Sequence, residues 1–539
     1  MKKPTLEKTW RRFIFFTILT LVPVLIFIST QSTQRAAEEW EDWDTGCTSI
    51  MVGRLASTDG SVMTAHSCDG NYRTWVRMEP HTKHKKAEKA KIYHGLLHNE
   101  FPGDMRRVTV AGEIPQVEET YSFLNTAYPC MNEKQLAIGE TTIVGRRELR
   151  NTEGLFLIEE LERMALERCD NARDAVKLIG ELVKEYGYCD WGECITIADP
   201  KEVWHFEIFG AGPLEIGAVW AAVRIPDDHV GVSANIPRIG ELNLDDSDNC
   251  MASENVFRVA EEMGWWDPGS EETFKFWKAY SGRRPFSTRE FFVLSSMAPS
   301  LKLDPNAEEL PFSVKPDKKV SVRDLFAYYR QTYEGTDLDM TKNLMVKERR
   351  GKELVKSPIA SPWMSYHMVN LLNALKPGAV KRSRTIAIAG CSYSHVLQCR
   401  DWLPDEVGGI AWFAFDNPGQ SPRIPIFAGV TELPPSFDVC GQHKFRTDSA
   451  CWYFRRANRL ATVRWGRTRE FIEGAVREFE DKAFAELPDI EKKALELIKD
   501  DPMAMKTYLT QYTKDFARAA MLKYWELGDQ FWTMFRSGF

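Results

Sequence analysis

Three tight turns, each lying between two short apolar segments, constrain the fold of this chain most strongly. The turns fall at residues 57–60 (Ser-Thr-Asp-Gly), 199–202 (Asp-Pro-Lys-Glu) and 226–228 (Pro-Asp-Asp). A turn of this length between apolar segments is typical of a β-hairpin. Neighbouring hairpins place consecutive strands side by side in antiparallel sheets. Further strands are predicted at residues 385–389 and 410–415.

Helical periodicity appears in three other parts of the chain. Apolar residues recur at a spacing of three to four from Leu155 to Ala165, and a second helix is predicted from an Asn171 cap to a stop at Gly187. The chain is predicted to be helical from about residue 468, with Pro488 separating two helices. Antiparallel strands with amphipathic helices predict an α+β protein whose helices cover the sheets.

The N-terminal segment has the composition of a targeting sequence. A basic start precedes an apolar run at residues 13–28, whose 16 residues fall short of the roughly 20 that span a membrane. Residues 1–34 are therefore predicted to be a signal peptide or a signal anchor, and residues 35–46 (RAAEEWEDWDTG) a propeptide. This predicts an extracytoplasmic protein (secreted, periplasmic or lumenal), with membrane contact through residues 13–28 before processing.

The overall composition excludes several classes of function. The 539 residues carry a net charge of −7, so no basic excess exists to bind nucleic acid. The sequence has no G-x-S-x-G, H-E-x-x-H, Walker or C-x-x-C motif, so we expect neither a metal nor an organic cofactor. The chain has 11 cysteines, and because that number is odd at least one thiol cannot pair within the chain.

One of these cysteines lies where a nucleophile could be built. Cys47 stands at the head of a predicted strand, the hairpin at residues 57–60 follows, and the returning strand brings Asp69 back beside Cys47. Further on, Asn132 lies at a turn before an apolar strand, and Asn235 lies at a strand end before a proline. These residues suggest an amidohydrolase whose nucleophile is its own N-terminal residue.

Residues 47 to about 440 resemble the dipeptidase A and secernin family of N-terminal-nucleophile (Ntn) cysteine peptidases, relatives of the penicillin V and bile-salt amidases. The resemblance is carried by the Cys47 segment and by the blocks MNEKQLAIGETT, GYCDWGECITIADPKEVWHFEI and WAAVRIPDDHVGVSANIPRI. It implies an αββα sandwich, two stacked antiparallel sheets between helical layers, at residues 47–465, with a helical region at 466–539.

The resemblance also implies roles for individual residues. Cys47 matches the nucleophile that becomes the mature N-terminus, and Asp69 matches the aspartate near its amine. Asn132 matches a side chain that helps to stabilise the oxyanion, and Asn235 matches a second active-site asparagine. A further family arginine corresponds to Arg289 through a looser match in FSTREFFVL.

The chain departs from the family at one position. The superfamily often has an arginine three residues before the aspartate, where this chain has His66. The role of His66 is therefore open.

The chemistry predicted for Cys47 requires a free α-amine. That amine, whose pKa is about 7.7–8.0, can act as general base for the Cys47 thiol, directly or through a water molecule. The bond between Gly46 and Cys47 must therefore be cleaved, and attack of the thiol on the Gly46 carbonyl is the expected route. Glycine tolerates the strained backbone geometry that such a step demands.

Three functions fit this sequence. The first is an exported or membrane-tethered dipeptidase that hydrolyses small peptides. The second is an N-acyl amide hydrolase of the penicillin V and bile-salt type on the same fold. The third is a non-catalytic, membrane-anchored interaction protein built on an inactive hydrolase fold.

Overall fold

The computed structural model describes residues 46–99, 108–348, 351 and 353–537. The predictions for residues 1–34 and for most of the propeptide lie outside this part of the chain. Within it, no helix is both long enough and apolar enough to cross a membrane.

Seven antiparallel strands form the first sheet. In spatial order the strands are Ser313–Val314, Val230–Ser233, Thr48–Val52, Val62–Asp69, Cys391–Cys399, Ile410–Phe415 and Ile424–Phe427. The predicted hairpin at residues 57–60 is confirmed, because Thr48–Val52 pairs with Val62–Asp69 and Ser49 lies opposite His66.

Eight further strands form the second sheet, which is also antiparallel. In spatial order they are Cys250–Ala252, Ala218–Arg224, Val203–Gly210, Gly192–Ala198, Ala137–Ile143, Met131–Asn132, Phe123–Asn125 and Arg77–Glu79. Three two-stranded ribbons complete the described strands: Thr82–Lys83 with Glu119–Thr120, Lys89–Gly95 with Val108–Pro115, and Met345–Lys347 with Leu354–Lys356.

The two large sheets lie face to face. The hydroxyl oxygens of Thr64 on the first sheet and Thr196 on the second are 2.5 Å apart. Those of Ser233 and Thr141, also on opposite sheets, are 2.6 Å apart. All four side chains are buried, so direct hydrogen bonds join the inner faces without intervening solvent.

Helices cover the outer faces of both sheets. The α-helices are Ile158–Arg168, Ala172–Tyr186, Val256–Glu262, Phe276–Tyr280, Thr288–Met297, Val322–Tyr329, Tyr366–Leu375, Asp405–Gly408, Ala450–Val463, Trp465–Asp500 and Pro502–Met534, and short 3₁₀ helices lie at Arg147–Leu149, Pro299–Leu301 and Pro435–Asp438. On the second sheet, Gly180 of one helix lies so close to Trp220 that an added Cβ would be 2.5 Å from the indole ring. On the first sheet, Phe484 stacks on Trp412 with ring centroids 4.8 Å apart.

The α+β class and the helical C-terminal region are therefore confirmed. Thr513, in the last helix, donates a hydrogen bond to the carbonyl of Pro425 at the edge of the first sheet (2.9 Å). The C-terminal helices thus pack on the same core as the sheets.

Three local predictions are wrong. The turn at residues 226–228 does not close a hairpin, because the chain crosses there from Ala218–Arg224 in the second sheet to Val230–Ser233 in the first. No strand forms at residues 385–389; the strand begins at Cys391. The turn at residues 226–228 misled the prediction because local turn chemistry is the same whether the chain returns to its own sheet or passes to the next one.

The third wrong prediction concerns Pro488, which lies inside a continuous helix, Trp465–Asp500. A proline removes one backbone hydrogen bond from a helix, and burial of Ile490 and Ala494 beyond it keeps the helix packed. The break falls at Asp501, whose carboxylate accepts hydrogen bonds from the first amides of the next helix.

Candidate active site

Cys47 lies immediately before the central strand Thr48–Val52 and is 2% exposed. The Arg289 guanidinium donates a hydrogen bond to the carbonyl oxygen of Cys47 (2.6 Å). The Tyr329 hydroxyl donates one to the carbonyl of Thr48 (2.8 Å). These buried contacts fix the backbone on the C-terminal side of the candidate nucleophile.

The residue on the other side, Gly46, is held by its own backbone groups. Its N–H donates to the carbonyl of Asp69 (2.8 Å), and its carbonyl oxygen accepts from Nη2 of Arg384 (2.9 Å). Its φ is +107°, and an added Cβ would lie 2.4 Å from Oδ1 of Asn235. Only glycine fits this position without displacing Asn235.

Asp69 and Arg384 form a buried ion pair beside this glycine. Nη2 of Arg384 lies 2.8 Å from Oδ2 of Asp69, and the Ser67 hydroxyl donates to the same oxygen at 3.1 Å. The guanidinium thus joins the carboxylate at the end of strand Val62–Asp69 to the Gly46 carbonyl.

Asn235 and Arg289 form the second half of this arrangement. Asn235 has a φ of +68°; its Oδ1 accepts from Arg289 (2.8 Å), and its Nδ2 donates to the carbonyl of Thr142 (2.7 Å). Arg289 sits in the first turn of a helix closed by a Ser287–Glu290 capping box. We call Asp69, Asn235, Arg289 and Arg384 the anchoring cluster. It contains three of the residues predicted from the sequence, together with Arg384.

The structure does not bring Asn132 to this cluster. Its Nδ2 donates to the carbonyls of Leu166 and Cys169 (both 2.8 Å), and its Oδ1 accepts from the amides of Lys134 and Leu136 (both 3.0 Å). Every hydrogen-bonding position of the amide is taken, so no donor is left for an oxyanion.

His66 points into the space beside Cys47 as a neutral ring. Its Nδ1 lies 2.5 Å from the carbonyl oxygen and 3.2 Å from the amide nitrogen of Glu140. Burial lowers the pKa of His66 to about 3, which keeps the ring uncharged. It therefore does not supply the positive charge of the arginine found at this position in the superfamily.

The thiol of Cys47 converges with His66 and Glu140. Its Sγ, a ring nitrogen of His66 and a carboxyl oxygen of Glu140 all lie within 4.8 Å of one another. These are atom types that zinc accepts, and among the described residues this trio could hold such an ion.

A hydrogen bond with Cys68, burial and the nearby charge of Glu140 raise the pKa of the Cys47 thiol well above its usual range. A proton acceptor is therefore needed to form the thiolate.

Glu140 belongs to a group of three buried carboxyls and one half-buried carboxyl, which we call the acidic cluster: Glu140, Glu159, Glu193 and the half-buried Asp190. Burial raises the pKa of Glu140, and burial together with the charge of Glu140 raises that of Glu193. Burial and the charge of Glu159 likewise raise the pKa of Asp190. These shifts mark carboxyls that lack compensating positive charge.

The sequence interpretation missed the acidic cluster and Arg384. Glu140 and Glu193 stand in the blocks MNEKQLAIGETT and GYCDWGECITIADP, each inside an apolar strand, and an acidic residue in such a setting is a usable signal. Arg384 carries no signal, since it belongs to an ordinary basic stretch, KRSRT.

The site thus places a buried cysteine at the head of a central strand, with its own carbonyl and that of Gly46 held by buried arginines. The model of peptidase family C69 matches residues 46–478, and the chain belongs to that family.

Similar proteins from three bacteria are named as dipeptidases or probable dipeptidases. The chain is 27% identical over 419 residues to a probable dipeptidase of Latilactobacillus sakei, covering 72% of this chain and 76% of the relative. It is 26% identical over 413 residues to a probable dipeptidase of Salmonella dublin (73% and 83%). It is 23% identical over 478 residues to dipeptidase A of Lactobacillus helveticus (85% and 89%).

Proposed function

We propose that this protein is a cysteine dipeptidase with an Ntn-hydrolase fold, in which Cys47 becomes the N-terminal nucleophile once residues 1–46 are removed. The observation that carries the proposal is the position of Cys47, with Arg289 on its own carbonyl and Arg384 on that of Gly46. The two facing sheets between helical layers, the family match and the names of the relatives support it.

Self-cleavage follows from the contact between Arg384 and Gly46. Sγ of Cys47 attacks the Gly46 carbonyl carbon, and negative charge develops on the oxygen that already accepts a hydrogen bond from Arg384. The peptide C–N bond then breaks, and the thiol proton ends on the nitrogen, which becomes the α-amine of Cys47. Water hydrolyses the resulting thioester, which releases the Gly46 carboxylate and restores the thiol.

Hydrolysis of a peptide repeats this chemistry on a second carbonyl. The α-amine of Cys47 accepts the thiol proton, Sγ attacks the substrate carbonyl, and the leaving amine takes the proton. The thioester formed with the substrate occupies the place of the one formed with Gly46. Departure of Gly46 frees Nη2 of Arg384 to donate to the new oxyanion.

The deciding experiment combines N-terminal sequencing or mass analysis of the purified protein with a panel of dipeptides. We expect Cys47 as the first residue and hydrolysis of unblocked dipeptides. Cys47→Ala should abolish hydrolysis and leave the Gly46–Cys47 bond intact, whereas Cys451→Ala, at another buried cysteine, should leave both unchanged. Full activity with an uncleaved Gly46–Cys47 bond would refute the mechanism.

We also propose that residues 1–34 export the precursor and that the mature enzyme acts outside the cytoplasm. The basic start and the apolar run at residues 13–28 support this. Fractionation of cells that express the full chain tests it: processed protein confined to the cytoplasm would contradict the proposal.

A further inference from the structure

The acidic cluster lies against the nucleophile through Glu140. A carboxyl oxygen of Glu140 is within 4.8 Å of Sγ of Cys47. Glu140 is 1% exposed and Glu193 4%, and neither Oε2 receives a hydrogen bond from any N–H or hydroxyl group of the described residues. Buried carboxyl oxygens are normally hydrogen-bonded; Glu140 and Glu193 have a side-chain hydrogen bond to each other, but neither has a cationic donor among the described residues.

The charges around the cluster do not supply that donor. In the described part of the chain, the basic side chain hydrogen-bonded to the cluster is His98, whose Nδ1 lies 2.7 Å from Oε1 of Glu159. His66 is adjacent, but its Nδ1 contacts the backbone of Glu140, and burial keeps the ring neutral. Glu140 therefore lies beside the nucleophile, and neither it nor Glu193 has a positive partner among the described residues.

We infer that Glu140 and Glu193 bind the α-ammonium group of the substrate, and that the enzyme therefore selects peptides with a free N-terminus. This inference rests on the proposed function and names the chemical group its site recognises. In a dipeptide the ammonium nitrogen is separated from the scissile carbonyl carbon by one Cα, a distance of about 2.5 Å. When that carbon contacts Sγ of Cys47, the nitrogen comes within hydrogen-bonding reach of the Glu140 carboxylate, which lies within 4.8 Å of the sulfur.

The same arrangement disfavours N-acylated substrates. An acyl group carries no positive charge, and its bulk would occupy the space beside two buried carboxyls. Binding it would leave Glu140 and Glu193 desolvated and unpaired, which is the costly state for a carboxylate. The cluster thus separates a dipeptidase from an amidase on the same fold.

The test compares Ala-Ala with N-acetyl-Ala-Ala on the processed enzyme and on Glu193→Gln. The wild type should prefer the unblocked dipeptide. Glu193→Gln should lower kcat/KM for Ala-Ala roughly ten- to hundredfold, mainly through KM, because a hydrogen bond to a charged group is lost. The residual rate on N-acetyl-Ala-Ala should stay the same or rise.

Glu162→Gln is the matched control. Glu162 is a fully buried carboxyl in the neighbouring helix that makes no hydrogen bond to Cys47, Glu140 or Glu193, so its loss should leave the substrate preference unchanged. A processed N-terminus at Cys47 in each variant verifies that the fold is intact.

Equal losses on both substrates in Glu193→Gln would overturn the inference while leaving the dipeptidase assignment in place. A wild type with Cys47 first that cleaves only N-acetyl-Ala-Ala would overturn the dipeptidase proposal itself.

Discussion

The two sides of Cys47 differ in how their charges are satisfied. In the anchoring cluster Asp69 is paired with Arg384, and Arg289 is hydrogen-bonded to Asn235 and to the main chain. In the acidic cluster Glu140 and Glu193 have oxygens that receive no N–H or hydroxyl. A satisfied polar network holds its members rigidly, whereas an unsatisfied one gains most when a ligand completes it. In the proposed mechanism the first side positions Cys47, and the second recognises the substrate.

Breaking the anchoring cluster gives the largest expected effect. Arg384→Gln should slow self-cleavage roughly 10²–10³-fold, because an oxyanion donor is lost. Mass analysis of the protein at intervals after synthesis measures the rate.

Arg455→Gln is its control. Arg455 forms a comparable buried ion pair with Asp416 (2.8 Å), distant in sequence from Gly46, so its loss should lower stability without slowing cleavage. Equal slowing in both variants would mean that Arg384 acts only by stabilising the fold.

The contrast between the two sides also depends on a neutral His66. Its folded pKa of about 3 lies below the unfolded value of about 6.5, so the unfolded state gains protons first as the pH falls. Stability from this group is complete above pH 6.5 and is lost below it. Between pH 6.5 and 4.5 the wild type should lose about 2 kcal/mol relative to His66→Gln.

Denaturant unfolding at the two pH values measures this difference, with the exposed His367→Gln as control. Parallel stability curves for the wild type and His66→Gln would show that folding does not lower the pKa of His66, so that the ring would become a cation beside the acidic cluster below about pH 6.5.

Asn132 tests whether a residue outside both clusters affects catalysis. Asn132→Ala removes four hydrogen bonds and should lower the free energy of unfolding by about 2 kcal/mol. We expect kcat to stay within about twofold, since no donor of this side chain reaches the nucleophile. A drop in kcat with unchanged stability would restore the oxyanion role that the family resemblance implies.

The smallest expected effect comes from Gly46→Ala. The added Cβ would contact Oδ1 of Asn235, and the alanine would have to adopt an unfavourable positive φ. Self-cleavage should therefore slow roughly tenfold, because the carbonyl of residue 46 shifts away from Arg384. Gly240→Ala is the control, because a Cβ there meets no atom within 4 Å. Equal processing rates in both variants would show that the glycine is not required.

The sequence predicted the paired side of the site better than the unpaired side. Cys47, Asp69 and Asn235 lie at strand ends, and strand ends can be located from turn chemistry and apolar alternation. The turn at Asn132 was also located correctly, but a turn residue does not reveal whether its side chain faces the nucleophile or the helix beyond. Arg384 is 338 residues from Gly46, and local pattern cannot join positions so far apart.

The acidic cluster was missed for a different reason. An acidic residue in a strand is normally solvent-exposed, whereas Glu140 and Glu193 are both buried. Sequence pattern describes each element separately, whereas these carboxyls acquire their chemistry from the packing between elements.

The contact between Arg384 and the Gly46 carbonyl also sets the order of events during biosynthesis. At roughly 5–20 residues per second, a ribosome needs on the order of 20–70 s to extend the chain by the 338 residues that separate the two groups. The proposed activation therefore cannot begin until most of the chain has emerged and folded. Nascent fragments and truncated products would keep the α-amine of Cys47 acylated by Gly46, and the cell would be protected from peptidase activity in unfinished chains.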